Sequence, residues 1–200
     1  PYGFAGWVEG QSAIIVYHEF DIWLIPLDPG KGASNLTKAI TSSETIRFRI
    51  DDMSFRYESE IQDRYVDLSS PLVLKAFDKQ TKDAGFYELK NNKLKKLIFE
   101  PASIGGSRGG GITRAKHADV ILFNKGDYEN YPEAYLSDAS FSKSTKITNT
   151  NPQQEKYAWG HRILIDYTND DGVPLQGILS IPDSYQEGQK LPMVIYSYEK

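Results

Sequence analysis

The 200 residues carry a formal charge of −4 and no cysteine, which excludes disulfides and thiolate metal sites. The charge also gives no reason to expect nucleic acid, whose partners present a basic face. Hydrophobic residues make up 40% and charged residues 25%, a globular mixture without an apolar run of membrane-spanning length, while thirteen Tyr, nine Phe and three Trp lean it toward strands, where flat rings pack on a pleated surface.

In chain order, a loose repeat dominates. Its first copy reads Ala13-Ile14-Ile15-Val16-Tyr17, then Asp21-Ile22-Trp23-Leu24-Ile25-Pro26-Leu27-Asp28, then the ending Asn35-Leu36-Thr37. The second runs from Leu72-Val73-Leu74-Lys75-Ala76-Phe77 through Gly85-Phe86-Tyr87-Glu88-Leu89 to Lys96-Leu97-Ile98. The third has Asp119-Val120-Ile121-Leu122-Phe123, Ala134-Tyr135-Leu136-Ser137-Asp138 and the ending Lys146-Ile147-Thr148. A short β-like run precedes each copy: Gly6-Trp7-Val8, Thr45 to Ile50, and Gly111 to Arg114. Four strands per unit, repeated, is the pattern of β-propeller blades. A meandering sandwich or barrel would also give short strands at such intervals. The copies are wider than compact blades, so insertions are expected, chiefly around Asp51 to Ser70. No segment holds a helical period; Asp63 to Leu68 is the nearest candidate.

After Thr148 the pattern changes. Asn149 to Gln154 is a polar, Pro-marked connector. His161 to Tyr167 alternates, with Ile163, Ile165 and Tyr167 on one face. Asn169-Asp170-Asp171-Gly172 follows as a turn built on Asp-Gly, the strongest two-residue hairpin signal. Val173, Leu175, Leu179 and Ile181 then share a face. Leu191 to Tyr198 is a near-continuous apolar run, which predicts a strand buried on both sides, as in an α/β sheet. The expected organisation is all-β: about three propeller blades over 1–148, a linker at 149–160, and the opening strands of an α/β-hydrolase domain over 161–200. Pro1 opens without a charged-then-apolar leader and both ends read as cut, so the chain is expected to be a segment of a longer protein.

Complete catalytic machinery is not expected. Gly105-Gly106-Ser107-Arg108-Gly109 is a near miss to the G-x-S-x-G nucleophile elbow, but it precedes a blade and reads as a flexible connection. His18, His117 and His161 are scattered and lack the spacing of a zinc pair. Asp166 to Gly172 fails the spacing of a calcium loop. No metal and no cofactor is expected. Asn35-Leu36-Thr37 fits the glycosylation pattern, yet it coincides with a blade ending.

The stretch Tyr157-Ala158-Trp159-Gly160, Asp171-Gly172-Val173-Pro174-Leu175-Gln176-Gly177-Ile178-Leu179, Pro182 and Gly188-Gln189-Lys190-Leu191-Pro192-Met193-Val194-Ile195-Tyr196 resembles the prolyl oligopeptidase family of serine peptidases. The endings Asn35-Leu36-Thr37 and Lys146-Ile147-Thr148 are similar to blade repeats of its dipeptidyl-peptidase and acylaminoacyl-peptidase branches. The resemblance implies a propeller that roofs an α/β-hydrolase domain and admits small or unfolded peptides, with the rest of the propeller and catalytic domain as partners. It implies a periplasmic or secreted setting, although a cysteine-free chain suits the cytosol equally. It also implies one site residue, Tyr198, whose hydroxyl would help form the oxyanion hole. Glu199-Lys200 follow where glycines often stand in the family. The alternative class is a non-catalytic propeller that binds peptides or proteins; it leaves residues 157–198 without a purpose.

Overall fold

The computed structural model describes residues 2–38, 45–58, 63–105 and 112–197. The chain is nearly all β and divides into two compact units, 1–150 and 151–200.

In the first unit, β1 (Gly3–Val8), β2 (Ala13–Tyr17), β3 (Ile22–Pro26) and β4 (Ser34–Asn35) form an antiparallel meander. A second meander joins β5 (Ile46–Ile50) to β8 (Leu72–Asp78), β9 (Ala84–Lys90) and β10 (Lys93–Glu100). The insertion between β5 and β8 makes a 3-10 turn at Asp52–Ser54 and the hairpin of β6 (Phe55–Glu58) and β7 (Asp63–Val66). In the third sheet, β11 (Ser103–Ile104) and β12 (Thr113–Arg114) both lie along β13 (Ile121–Gly126), followed by β14 (Glu133–Ser137) and β15 (Thr145–Lys146). The three repeat copies thus fall on three successive sheets, as blades require.

The insertion departs from expectation. Its hairpin leaves its own sheet and joins the first, with β7 parallel to β1 through Trp7↔Tyr65 and Val8↔Val66. Asp63 to Leu68, the nearest helical candidate, is therefore largely strand, and Val66 is fully buried. Pairing across the sheets outweighs the weak local signal. The approach is close at Gly6, where a Cβ would stand 2.7 Å from the Arg64 carbonyl oxygen. Only glycine lets these backbones meet.

Period-two alternation decides the packing. Along β8, Leu72, Leu74, Ala76 and Asp78 are buried and the residues between them only partly so. On β9 the neighbours Phe86 and Tyr87 point to opposite faces, so the second sheet serves two cores. Tyr87 joins Ile15, Ile22, Phe48, Leu74 and Val66 in one, while Phe86 joins Ile112, Ile121 and Phe123 in the other. The open edge of β5 is covered: the Phe48 N–H donates to the Phe20 carbonyl at 2.8 Å, and the Ile50 N–H to the Tyr17 hydroxyl at 3.3 Å. Such covering removes donors that would otherwise template another strand. Lys93, Lys95 and Lys96 are exposed on edge strand β10.

The blade endings share one hydrogen-bonded lock. In the first sheet the fully buried Thr37 hydroxyl accepts from the Ile22 N–H at 3.1 Å and donates to Asp21 Oδ1 at 2.8 Å, while the Leu36 N–H donates to the Ile22 carbonyl at 2.9 Å. In the third, the Thr148 hydroxyl accepts from the Ala134 N–H at 2.9 Å and donates to Glu133, and the Ile147 N–H donates to the Ala134 carbonyl at 2.9 Å. The Thr148 hydrogen bond is the main cause holding the Glu133 carboxyl below its ordinary range. The second copy lacks the lock. Lys96-Leu97-Ile98 is no short ending there but the middle of the eight-residue β10, bulged between Lys96 and Ile98. Thr37→Val keeps the shape and deletes the hydroxyl, leaving the buried Ile22 N–H and the partly buried Asp21 carboxylate without it; it is expected to cost about 1–3 kcal/mol in urea denaturation. An unchanged midpoint would dismiss the lock as a bystander.

The second unit holds a 3-10 turn at Pro152–Lys156 and the antiparallel hairpin of β16 (His161–Thr168) and β17 (Pro174–Ile181). Its apolar residues meet across the ladder on one face, Ile163 opposite Leu179 and Tyr167 opposite Leu175. The turn is wider than two residues. The Asn169 N–H donates to the Val173 carbonyl at 3.1 Å, enclosing Asp170, Asp171 and Gly172, with Gly172 at φ +80°. Asn169 Oδ1 accepts from the Asp171 and Val173 N–H groups at 3.1 and 2.8 Å, so the asparagine side chain organises a three-residue loop with a left-handed glycine.

Candidate functional site

The candidate site lies at the end of the second unit, where Tyr198 closes the apolar run. The chain enters β16 through Gly160 at φ +86°, where a Cβ would lie 2.3 Å from the Ile181 carbonyl oxygen. Asp183 accepts the Trp159 N–H at 2.9 Å and ties the entry to the loop after β17. Hydrogen bonds from the Gly160 and Trp159 N–H groups hold its carboxyl below the usual range. The loop closes through the Tyr185 N–H to the Pro182 carbonyl and the Gln186 N–H to Gln189 Oε1, both at 3.0 Å.

Residues 191–197 then differ from expectation: they join no ladder, and Val194 is 95% and Ile195 79% exposed. A strand buried on both faces needs a hydrogen-bonded neighbour on each side and a layer above and below. Among the described residues of this unit the only strands are β16 and β17, which pair with each other. Tyr198, the predicted site residue, lies outside the described residues.

The other sequence candidates do not converge. His18 follows β2, with its ring 6.0 Å from that of Tyr2, while His117 lies in a turn that lines a broad groove of about 590 Å³ and His161 opens β16 opposite Ile181. Of the glycine-rich run, Ser107 and its neighbours 106 to 109 fall outside the described residues. Asp166 in β16 accepts from Gln176 Nε2 at 2.9 Å, a cross-strand pair rather than part of a cation loop. Among the described residues no group of three His, Asp or Glu could hold a metal ion.

Two features of the first unit escaped the sequence reading. One is a cleft of about 390 Å³ between β10 and the third sheet, lined by Phe123, Tyr135, Phe141, Lys125 and Glu100. Lys125 Nζ meets Glu100 Oε2 at 2.5 Å, and Phe123 packs at 5.5 Å on Tyr135 and 5.1 Å on Phe141. Phe141 sits at φ +58°, costly for a bulky side chain. Asp138 holds it there: its carboxylate accepts from Ser140 and Ser142, the Phe141 N–H donates to its carbonyl at 3.1 Å, and the serine hydrogen bonds bring the carboxyl down to about 2. Its polar groups are the Ser144 hydroxyl, the Tyr135 phenol, Lys96 and the Lys125–Glu100 pair.

The other is Asp51, which caps the 3-10 turn by accepting the Met53 N–H at 3.1 Å and lies 3.4 Å from Lys75 Nζ. Burial raises its pKa, and the Met53 hydrogen bond and Lys75 only partly oppose that. No motif marks it, since one aspartate after a strand reads as a turn.

No family model matches the chain, and no curated protein matches its sequence. Solved structures do match. The AtxE2 isopeptidase, in a serine-to-alanine variant with Astexin3-dC4 bound, is 11% identical at a TM-score of 0.57, over 92% of this chain and 26% of that one. A structure from a study of two prolyl endopeptidases is 10% identical at a TM-score of 0.39, over 87% of this chain and 30% of that one. The chain shares its fold with part of a peptidase. It spans about a quarter of the length of that isopeptidase.

Proposed function

We propose that the chain is part of a propeller-bearing serine peptidase of the prolyl oligopeptidase type, which hydrolyses bonds of small or unfolded peptides through an acyl-enzyme. One observation carries the reading: a peptidase fold is matched over 92% of the chain, and the residues that resemble the family fall in the same chain at 157–198. Residues 1–148 act as blades over the site, 149–160 as a linker, and 161–200 as the first strands of the hydrolase domain. The exposed apolar residues of β16, β17 and 191–197 are then the surfaces that the rest of that domain covers, which removes apolar area from water at about 25 cal/mol per Å². Tyr198 supplies one oxyanion donor at the C-terminal end of its strand. The serine, aspartate and histidine come from other sequence, since these 200 residues hold no nucleophile elbow.

A serine-directed fluorophosphonate tests this. The 200-residue chain is expected to stay unlabelled, whereas the protein carrying it together with the following hydrolase sequence is expected to label at one serine. Failure of the longer protein to label, with peptide binding intact, would replace the peptidase by a binding propeller.

A further inference from the structure

We propose that the face of the second sheet bearing Arg47, Arg49 and Lys75 is a binding site for a peptide carboxylate. The alternation of β5 puts Arg47 and Arg49 on one face, and the register sets Arg49 directly opposite Lys75 and Arg47 opposite Phe77. Like charges directly opposed on a sheet destabilise it. Each arginine is nonetheless held in place. Arg49 is half-buried; its Nη1 donates to the Phe48 carbonyl at 2.6 Å and its Nη2 to the Glu19 carbonyl at 3.3 Å, and its guanidinium lies 4.6 Å over the Tyr17 ring. Arg47 is exposed, 5.6 Å over the Phe77 ring.

Two of the local anions are already engaged. Asp51 lies against Lys75, and the Glu19 carboxylate takes Lys79 at 2.7 Å and the Tyr2 hydroxyl at 3.1 Å. Among the described residues neither Arg47 nor Arg49 has a carboxylate partner. Burial first, and the Arg47 charge second, lower the pKa of Arg49. A half-buried cation with a like charge beside it gains most from an anion. The planar guanidinium fork fits a carboxylate through two parallel hydrogen bonds, and the rings of Tyr17 and Phe77 give an apolar side chain next to it a surface to pack on. Two arginines on a chain of net charge −4 are not the basic stripe that nucleic acid needs. That the ligand is a peptide rests on the peptidase reading; that the face takes an anion does not.

The test is an NMR titration of the 200-residue chain, following the arginine Nε–Hε signals. The probes are acetyl-alanyl-phenylalanine as the free acid, the same dipeptide as its C-terminal amide, and inorganic phosphate. The free acid is expected to shift the Arg47 and Arg49 signals and to bind about tenfold more tightly than the amide. Arg47→Gln, at an exposed position, is expected to keep the circular dichroism spectrum and to erase that preference. Equal binding of acid and amide, or no shift with either, overturns the proposal. Phosphate binding as tightly as the free acid overturns it in favour of a phosphate site. Because fluorophosphonate labelling does not depend on Arg47, failure here and failure of the peptidase reading are separable.

Discussion

Phe48→Ala is expected to lower the stability of the chain by about 3–5 kcal/mol, the usual range for truncating a fully buried phenylalanine. Phe48 has no exposed surface and meets Tyr87 edge to face at 5.3 Å. It lies in the core shared by the first two sheets, among side chains from both. Its backbone N–H also crosses from β5 to the Phe20 carbonyl, so the walls around it are pinned and cannot collapse far into a void. That rigidity places the cost toward the upper part of the range. Urea denaturation followed by tryptophan fluorescence reads the effect. Val194→Ala is the matched control, within about 0.5 kcal/mol, since Val194 is 95% exposed. If Phe48→Ala costs no more than that control, the packing of the first two sheets described above is wrong.

Tyr198→Phe, in the proposed peptidase carrying this chain together with hydrolase sequence, is expected to lower kcat by about 10²–10³ with little change in KM. The expectation rests on the proposed oxyanion role. A phenol that donates only to the charge developing on the tetrahedral intermediate strengthens its bond in the transition state, so its loss falls on turnover rather than on substrate binding. Phenylalanine retains the ring and removes only the hydroxyl. A fall in thermal stability with kcat unchanged would assign Tyr198 to packing and take it out of the chemistry.

Much of the first unit was legible because its signals are local. Leu72 to Phe77 is legible as a strand from its mostly apolar run, and it alternates in burial because successive side chains on a strand point to opposite faces whatever the partner. Thr37 and Thr148 were visible as endings, although their hydroxyl locks needed Asp21 and Glu133 brought alongside. The Asp-Gly turn was legible as a turn but not in its width, because the Asn169 side chain organises the loop. The site was less legible. Arg47 and Arg49 lie in Thr45 to Ile50, legible only as a β-like run, and only the register that sets Arg49 against Lys75 turns them into a charged face.

The amino-acid sequence by itself determined that this protein is built of strands, where most of them run, and which of its stretches resembles the start of a peptidase domain. The first two follow from residue periodicity and turn chemistry within a few positions; the resemblance rests on the residues of 157–198 that match the family's pattern. Only the tertiary structure decided that the 51–70 insertion pairs with the first sheet rather than its own, that Phe86 and Tyr87 serve different cores, and that residues 191–197 stand exposed. Each of these depends on which distant segment offers hydrogen-bonding groups and apolar surface, and chain closure over tens of residues, rather than local preference, selects that partner.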